Sequence, residues 1–165
     1  MSGEFLIRQL ADGDWDAVVA LEHDAYAADG LSESREVLQS RARCSPETCY
    51  VVEQDGTVHG YLVSLPYPPL RSPDLTAPED GTFESDNLHI HDLVVAKELR
   101  GQDLAVRLLE HVQAQAVERG FARISMVAVR GSDVLLRFHG YRAHREVTLS
   151  PSYGERAFYM SKPVG

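Results

Sequence analysis

The sequence predicts an α/β fold in which a mixed sheet of six to seven strands carries about four helices on its two faces. Three observations predict it. Two β-rich runs meet at Asp55-Gly56, a strong short-range sign of an antiparallel hairpin. Leu104, Leu108, Val112 and Ala116 recur four apart, with Ala105 and Leu109 beside them and Arg107, Glu110, Glu118 and Arg119 opposite, which describes an amphipathic helix. Strand-like runs, Leu88 to Val95 and Arg123 to Val129, flank that helix, so a strand–helix–strand unit follows the hairpin. A chain of 165 residues buries roughly two thirds of its unfolded surface in one domain, and residues 1–165 are read as one.

Phe5 to Leu10 reads as a short strand. Asp12 then offers an N-cap to a helix that carries Trp15, Val18, Val19, Leu21 and Ala25 on one side. Ser32 to Arg43 is a second, more polar helix capped by Ser32; its thin stripe of Val37, Leu38 and Ala42 predicts a surface position. Tyr50 to Glu53 and Val58 to Leu65 are the hairpin strands. Residues Pro66 to Asn87 hold five of the eight prolines and form no regular element. A loop this long in so small a domain is usually functional or mobile. The long helix stops at Gly120, Ser132 to His139 is a short helix opened by a Ser cap, and Ala157 to Lys162 is a closing strand.

Charge narrows the partners. With 25 acidic against 16 basic residues the formal charge is −9, which repels nucleic acid and anionic membrane surfaces and concentrates cations such as amines. No apolar run reaches the ~20 residues that span a bilayer, and Met1-Ser2-Gly3-Glu4 lacks the basic-then-apolar pattern of a signal peptide, so a cytoplasmic protein is expected. Cys44 and Cys49 lack the spacing of a zinc site and are read as thiols.

The chemistry concentrates where Leu93-Val94-Val95 ends in a turn, Lys97-Glu98-Leu99-Arg100-Gly101, that opens into the long helix. Free N–H groups and a partial positive charge at a helix N-terminus suit a pyrophosphate, although spacing alone favours an ordinary strand-to-helix turn with a glycine. The segment Arg100-Gly101-Gln102-Asp103-Leu104-Ala105 resembles the Arg/Gln-x-x-Gly-x-Gly/Ala signature of the GNAT superfamily of acetyl-CoA-dependent N-acetyltransferases. The element order and Phe138-His139-Gly140-Tyr141 extend the likeness along the chain. The resemblance implies acetyl-CoA as co-substrate, with no metal. It implies that Leu93, Val94 and Val95 hold the pantetheine arm and acetyl group, that Arg100, Gly101, Gln102, Asp103, Leu104 and Ala105 cradle the pyrophosphate, and that Ser132 adds to the cofactor site.

Leu88-His89-Ile90-His91-Asp92-Leu93 is similar to the His-x-His strand of the arylalkylamine N-acetyltransferase branch. That likeness implies that His89 and His91 remove the amine's proton, a step suited to neutral imidazole, and residues two apart on a strand share a face. Two other readings stand beside it: both rings are structural, or they bind a metal with Asp92. The family walls its acceptor site with the first two helices and their loop, which points to Tyr26 and Asp29, with Asp24 and Glu33 as further cation partners and Tyr67 from the proline-rich loop. A small-molecule amine is the implied partner, and a homodimer is one this fold often forms. Two departures stand out. Asp103 occupies the signature's glycine, and Leu136 occupies the place of a tyrosine that protonates the departing thiolate; Tyr141, Tyr153 and Tyr159 are substitutes among which the sequence does not choose. A protein lysine or N-terminal acceptor, and a non-catalytic acyl-CoA-binding module, are the competing functions.

Overall fold

The computed structural model describes residues 3–79, 81, 83–129 and 131–165. Strand β1 (Leu6–Gln9) leads through a 3₁₀ turn to helix α1 (Trp15–Tyr26) and helix α2 (Arg35–Cys44). Strands β2 (Tyr50–Gln54), β3 (Thr57–Pro66) and β4 (Asn87–Val95) follow, then helix α3 (Leu104–Glu118), strand β5 (Arg123–Val129), helix α4 (Asp133–Phe138) and strands β6 (Arg142–Ala143) and β7 (Ala157–Pro163). The strands form one sheet in the order β1-β2-β3-β4-β5-β7-β6. Every neighbouring pair is antiparallel except β4 and β5, the pair linked by α3 as a parallel connection requires.

Local chemistry explains most boundaries. Asp55 and Gly56 both take positive φ, +53° and +81°, as a two-residue hairpin turn needs, and Gly120 ends α3 at φ +81°. Two helices start later than expected. Asp14, not Asp12, precedes α1 and makes no side-chain bond to the helix; its carboxylate reaches back to the Ala11 N–H at 2.8 Å and is pinned by Arg8 at 2.8 Å and 2.9 Å. Helix α2 starts at Arg35 because Ser34 accepts the Val37 N–H at 3.2 Å, whereas Ser32 spends its hydroxyl on Glu22 at 2.6 Å. Ser132 precedes α4 without capping it, since its hydroxyl is closed onto the Val129 backbone.

The sheet divides the core in two. One face packs Leu62, Leu88, Ile90 and Ile124 against Leu104, Leu108, Val112 and Ala116 of α3 and Leu136 of α4. The other packs Val51, Tyr61, Val63 and Val94 against Trp15 and Val18 of α1 and Leu38 and Ala42 of α2. Gly60 lets β3 close on β4, because a Cβ there would stand 2.9 Å from the Val94 carbonyl oxygen. Helix α2 is no surface helix: Ser40 and Arg41 are buried beside its apolar stripe. Among the described residues no helix is long and apolar enough to cross a membrane.

Candidate functional site

Two irregularities in β4 make the site. Val63 pairs with Asp92 and Ser64 with Ile90, so His91 is an extra residue, a β-bulge. The bulge turns His91 and Asp92 to the same side, towards α1 and α2, where Asp92 meets Tyr61 and His91 meets Glu33 and Arg41. The parallel ladder to β5 runs only from Asn87↔Arg123 to Ile90↔Met126, after which both strands continue and diverge. Ala96 N–H donates to the His59 carbonyl at 2.8 Å on the β3 side. Alternation along the strand therefore turns the backbone groups of Leu93 and Val95 to the opposite, open edge.

That opening is a cavity of about 500 Å³. Leu93, Val94 and Val95 form one wall and Met126, Val127 and Val129 the other, with Ser132, Leu135 and Leu136 from the start of α4. Arg100 and Ala105 stand at the α3 end, and Ala25, Tyr26, Leu31, Glu33, Leu75 and Tyr153 surround the end nearer His91 and Asp92. Of the residues expected to cradle a pyrophosphate, Arg100, Gly101, Gln102 and Asp103 are exposed at the turn and Leu104 faces the core. Asp103 takes φ +56°, the left-handed region that favours glycine. This explains the signature's glycine, and aspartate is one of the few side chains that adopts the same conformation readily.

The chamber beside His91 holds an unusual set of buried charges. Arg41 is fully buried and donates through Nε to His91 Nε2 at 3.0 Å, to Glu79 at 2.7 Å, and to the Asp74 and Ala77 carbonyls. Glu33 places Oε1 2.6 Å from His91 Nε2 and Oε2 3.6 Å from Arg41. Burial pushes the Glu33 carboxyl up to about 7 against the pull of Arg41, and burial with the Arg41 charge holds His91 well below the usual imidazole range. Burial also raises Asp92 to about 8, despite the Tyr61 hydroxyl bond and with the help of the Glu33 and Glu22 charges.

The expected site residues fall in three groups. His91 and Tyr26 line the cavity with the cofactor-side residues. His89 lies behind them, outside the lining: its Nδ1 meets the Ser125 hydroxyl at 2.7 Å, its ring lies parallel to Tyr159, and burial, then the charges of His91 and Arg41, lower it to about 3. Tyr67 is buried against Phe83 and His89 without reaching the cavity, and Asp29 is exposed outside it. Sequence reasoning missed Arg41, whose partners come from a loop more than thirty residues away, and gave no role to Asp92 outside a metal set. Among the described residues no cluster of three His, Cys, Asp or Glu is arranged to hold a metal.

The long loop closes the chamber. Besides the Arg41 bonds, Leu75 N–H donates to Ser152 at 3.1 Å, Leu70 N–H to the Tyr159 hydroxyl at 2.9 Å and Glu79 N–H to Ser40 at 2.9 Å. Leu75, thus fastened, forms part of the cavity wall.

Residues 15–141 match the pattern of the Acetyltransferase (GNAT) family. An uncharacterized N-acetyltransferase of Methanocaldococcus jannaschii is 29% identical over 161 residues, 95% of this chain and 90% of that one. Among solved structures, Ard1 from Thermoplasma volcanium superposes with a TM-score of 0.75 at 16% identity, covering 98% of both chains. The PaiA N-acetyltransferase of Thermoplasma acidophilum, solved in complex with coenzyme A, superposes with a TM-score of 0.68 at 13% identity, covering 97% of this chain and 99% of that one.

Proposed function

Because the chain belongs to the acetyltransferase (GNAT) family, we propose that it moves the acetyl group of acetyl-CoA to a small primary amine, by direct attack within a ternary complex. One observation carries this reading: the cleft between diverging β4 and β5 runs from the start of α3 into a closed, acidic chamber. The residues fit the co-substrate. The first turn of α3 has N–H groups without partners inside the helix, and with Arg100 it forms a cradle for pyrophosphate from Arg100 to Ala105. Leu93 and Val95 turn backbone groups to the open edge, where an N–H aimed at the thioester carbonyl stabilises the oxyanion that forms on attack. Val94 and Ser132 complete the walls of that arm.

The amine arrives as an ammonium ion and must lose a proton before it attacks. Glu33 and His91 are the pair proposed to take it. With Glu33 ionised, Arg41 Nε turns from His91 Nε2 to Glu33 Oε2, 3.6 Å away, so that Nε2 can carry the ring proton and donate to Glu33 Oε1, leaving Nδ1, which has no partner among the described residues, to accept from the amine. With Glu33 protonated, both Glu33 and Arg41 donate towards Nε2 and Nδ1 carries the ring proton. Glu33, at about 7, therefore arms the base as pH rises. His89, held by Ser125 and stacked on Tyr159, is assigned the supporting role of fixing β4 behind His91. Tyr26 and the acidic chamber hold the ammonium and Tyr67 backs the wall through His89, while Asp29, exposed outside the cavity, adds only its charge to the surface. The fastened loop over Leu75 favours a small amine over a polypeptide.

Calorimetric titration with acetyl-CoA and with free coenzyme A, followed by thiol release over a panel of amines, tests the proposal. Micromolar binding and turnover with at least one small amine are expected. His91→Ala should lose about 10²- to 10⁴-fold in kcat, and the wild-type rate should rise between pH 6 and 8 as Glu33 and Asp92 ionise. Absence of binding, or of thiol release with every amine, overturns it.

A further inference from the structure

The acceptor end of the cavity has apolar walls at Ala25, Leu31 and Leu75. Three buried polar atoms of the lining nevertheless have no hydrogen-bond partner among the described residues: Glu33 Oε2, His91 Nδ1 and the Tyr153 hydroxyl. The first faces Arg41 at 3.6 Å, and the second is the atom assigned to the amine. The Tyr153 hydroxyl is left over. Its ring is fixed: it ends a 3₁₀ turn in which Ser150 accepts the Ser152 N–H, and it packs with Val127, Tyr159 and Leu75. The Leu75 N–H, bonded to Ser152 at 3.1 Å, fastens the loop to that same turn. Tyr153 is therefore held in the cavity wall beneath the loop, at 6% exposure.

A buried hydroxyl left unpaired destabilises the fold unless a ligand completes it. The charges that reach this phenol include those of Glu33, Asp92 and Arg41, the groups around His91, so the ligand it completes lies at the acceptor end. The same charges decide which chemical group suits it. A carboxylate would meet Glu33 and Asp92, while Arg41 is fully buried and spent on His91, Glu79 and the Asp74 and Ala77 carbonyls. A second ammonium has no lone pair for the phenol's proton, and a bare alkyl chain leaves that proton unpaired. A neutral oxygen, as hydroxyl or amide carbonyl, accepts the proton and brings no charge.

We infer that the acceptor is an amine that carries a neutral oxygen, an amino alcohol or an amino amide, and that the Tyr153 hydroxyl selects it by donating a hydrogen bond to that oxygen while His91 Nδ1 faces the nitrogen. This rests on the N-acetyltransferase reading above and names the class of amine within it. Tyr153 holds the part of the acceptor that does not react, so it decides which amine is used. The selection is steep, because an analogue without the oxygen enters the same closed chamber and strands the phenol's proton there.

The experiment follows thiol release by wild type and by Tyr153→Phe, which keeps the ring contacts with Val127 and Tyr159. The amines share a three-carbon chain and differ in one group: propylamine, 1-amino-2-propanol, 3-amino-1-propanol, β-alaninamide, β-alanine and propane-1,3-diamine. In wild type at least one alcohol or the amide should exceed propylamine about tenfold to a hundredfold in kcat/KM, with β-alanine and the diamine well below it. In Tyr153→Phe that preference should shrink to within about threefold, through a raised KM for the oxygen-bearing amine. Melting temperature without ligand should hold or rise, because the lost hydroxyl had no partner. A wild type that shows no preference for the neutral oxygen, that favours β-alanine or the diamine, or that turns over only amines lacking such an oxygen overturns the inference while leaving the acetyltransferase reading intact. A Tyr153→Phe variant that keeps the preference, or that loses kcat equally with every amine, does the same. A wild type that neither binds nor turns over acetyl-CoA overturns both.

Discussion

Asp103 shows how much one residue's backbone decides at this turn. Its φ of +56° is the conformation for which the signature uses glycine, and aspartate meets it while adding a negative charge where two phosphates would lie. The conformation and the charge separate in two substitutions. Asp103→Gly keeps the left-handed turn and removes the charge, so coenzyme A should bind about threefold to tenfold more tightly at low salt, consistent with like charges in a partly solvated site. The gain should shrink above about 0.1 M salt, where the screening length falls to about 10 Å. Asp103→Ala also removes the charge but demands left-handed backbone from a residue that resists it, so about 1–2 kcal/mol of stability should go. Calorimetry with coenzyme A and urea midpoints on the three proteins check both halves. Equal affinity for wild type and Asp103→Gly would show that the carboxylate lies clear of the phosphates.

At the scale of elements, α2 and the loop from Pro66 to Asn87 form one unit around Arg41. The guanidinium is fully buried, faces Glu33 and Glu79, and holds the Asp74 and Ala77 carbonyls, so it joins helix, loop and bulged strand. Arg41→Met keeps the stem but strands two carboxylates, and breaking a buried pair in this way costs about 3–5 kcal/mol. The variant should lose that much stability, and trypsin should cut after exposed Arg71 faster than in wild type. Unchanged cleavage would show that the other loop bonds suffice. None of this was legible beforehand. A polar helix with a thin apolar stripe reads as a surface helix, because a lone sequence cannot show that an arginine's partners stand in a loop 33 to 38 residues away. What was legible was local: the Asp55-Gly56 hairpin, the stripe of α3 and the signature turn all follow from neighbours in sequence. The cap expected at Ser32 falls two residues later, at Ser34, because Glu22, ten residues back on α1, takes the Ser32 hydroxyl. The bulge that puts Asp92 beside His91 is likewise set by pairing with β3, not by the His-x-His spacing.

Over the whole molecule, the buried titratable groups make stability depend on pH in a direction opposite to that of most acidic proteins. Asp92, at about 8, and Glu33, at about 7, are raised above their unfolded values by burial, and Glu22 is raised as well. Such carboxyls hold their protons longer in the folded state, so stability falls as pH rises from the unfolded value towards the folded one, by about 1.4 kcal/mol per pH unit for each group. His89 and His91 are lowered, and a buried neutral imidazole adds stability as pH rises to about 6.5, where the unfolded ring has lost its proton. Below about 6.5 the two sets oppose each other. Two or three raised carboxyls against two lowered imidazoles leave stability level or gently falling up to about pH 6.5; above it only the carboxyls remain, so the decline should steepen through pH 7 and 8. Repulsion within a chain of net charge −9 also grows with pH, but exposed charges are screened by salt and buried protons are not. Urea midpoints from pH 5 to 8.5 at low and high salt therefore distinguish the two causes. Asp92→Asn, which still accepts the Tyr61 hydroxyl through its amide oxygen, should flatten the decline between pH 7 and 8 at both salt concentrations. A decline that high salt abolishes, or that Asp92→Asn leaves untouched, would mean that Asp92 is already ionised in the fold and its charge is balanced by groups around it.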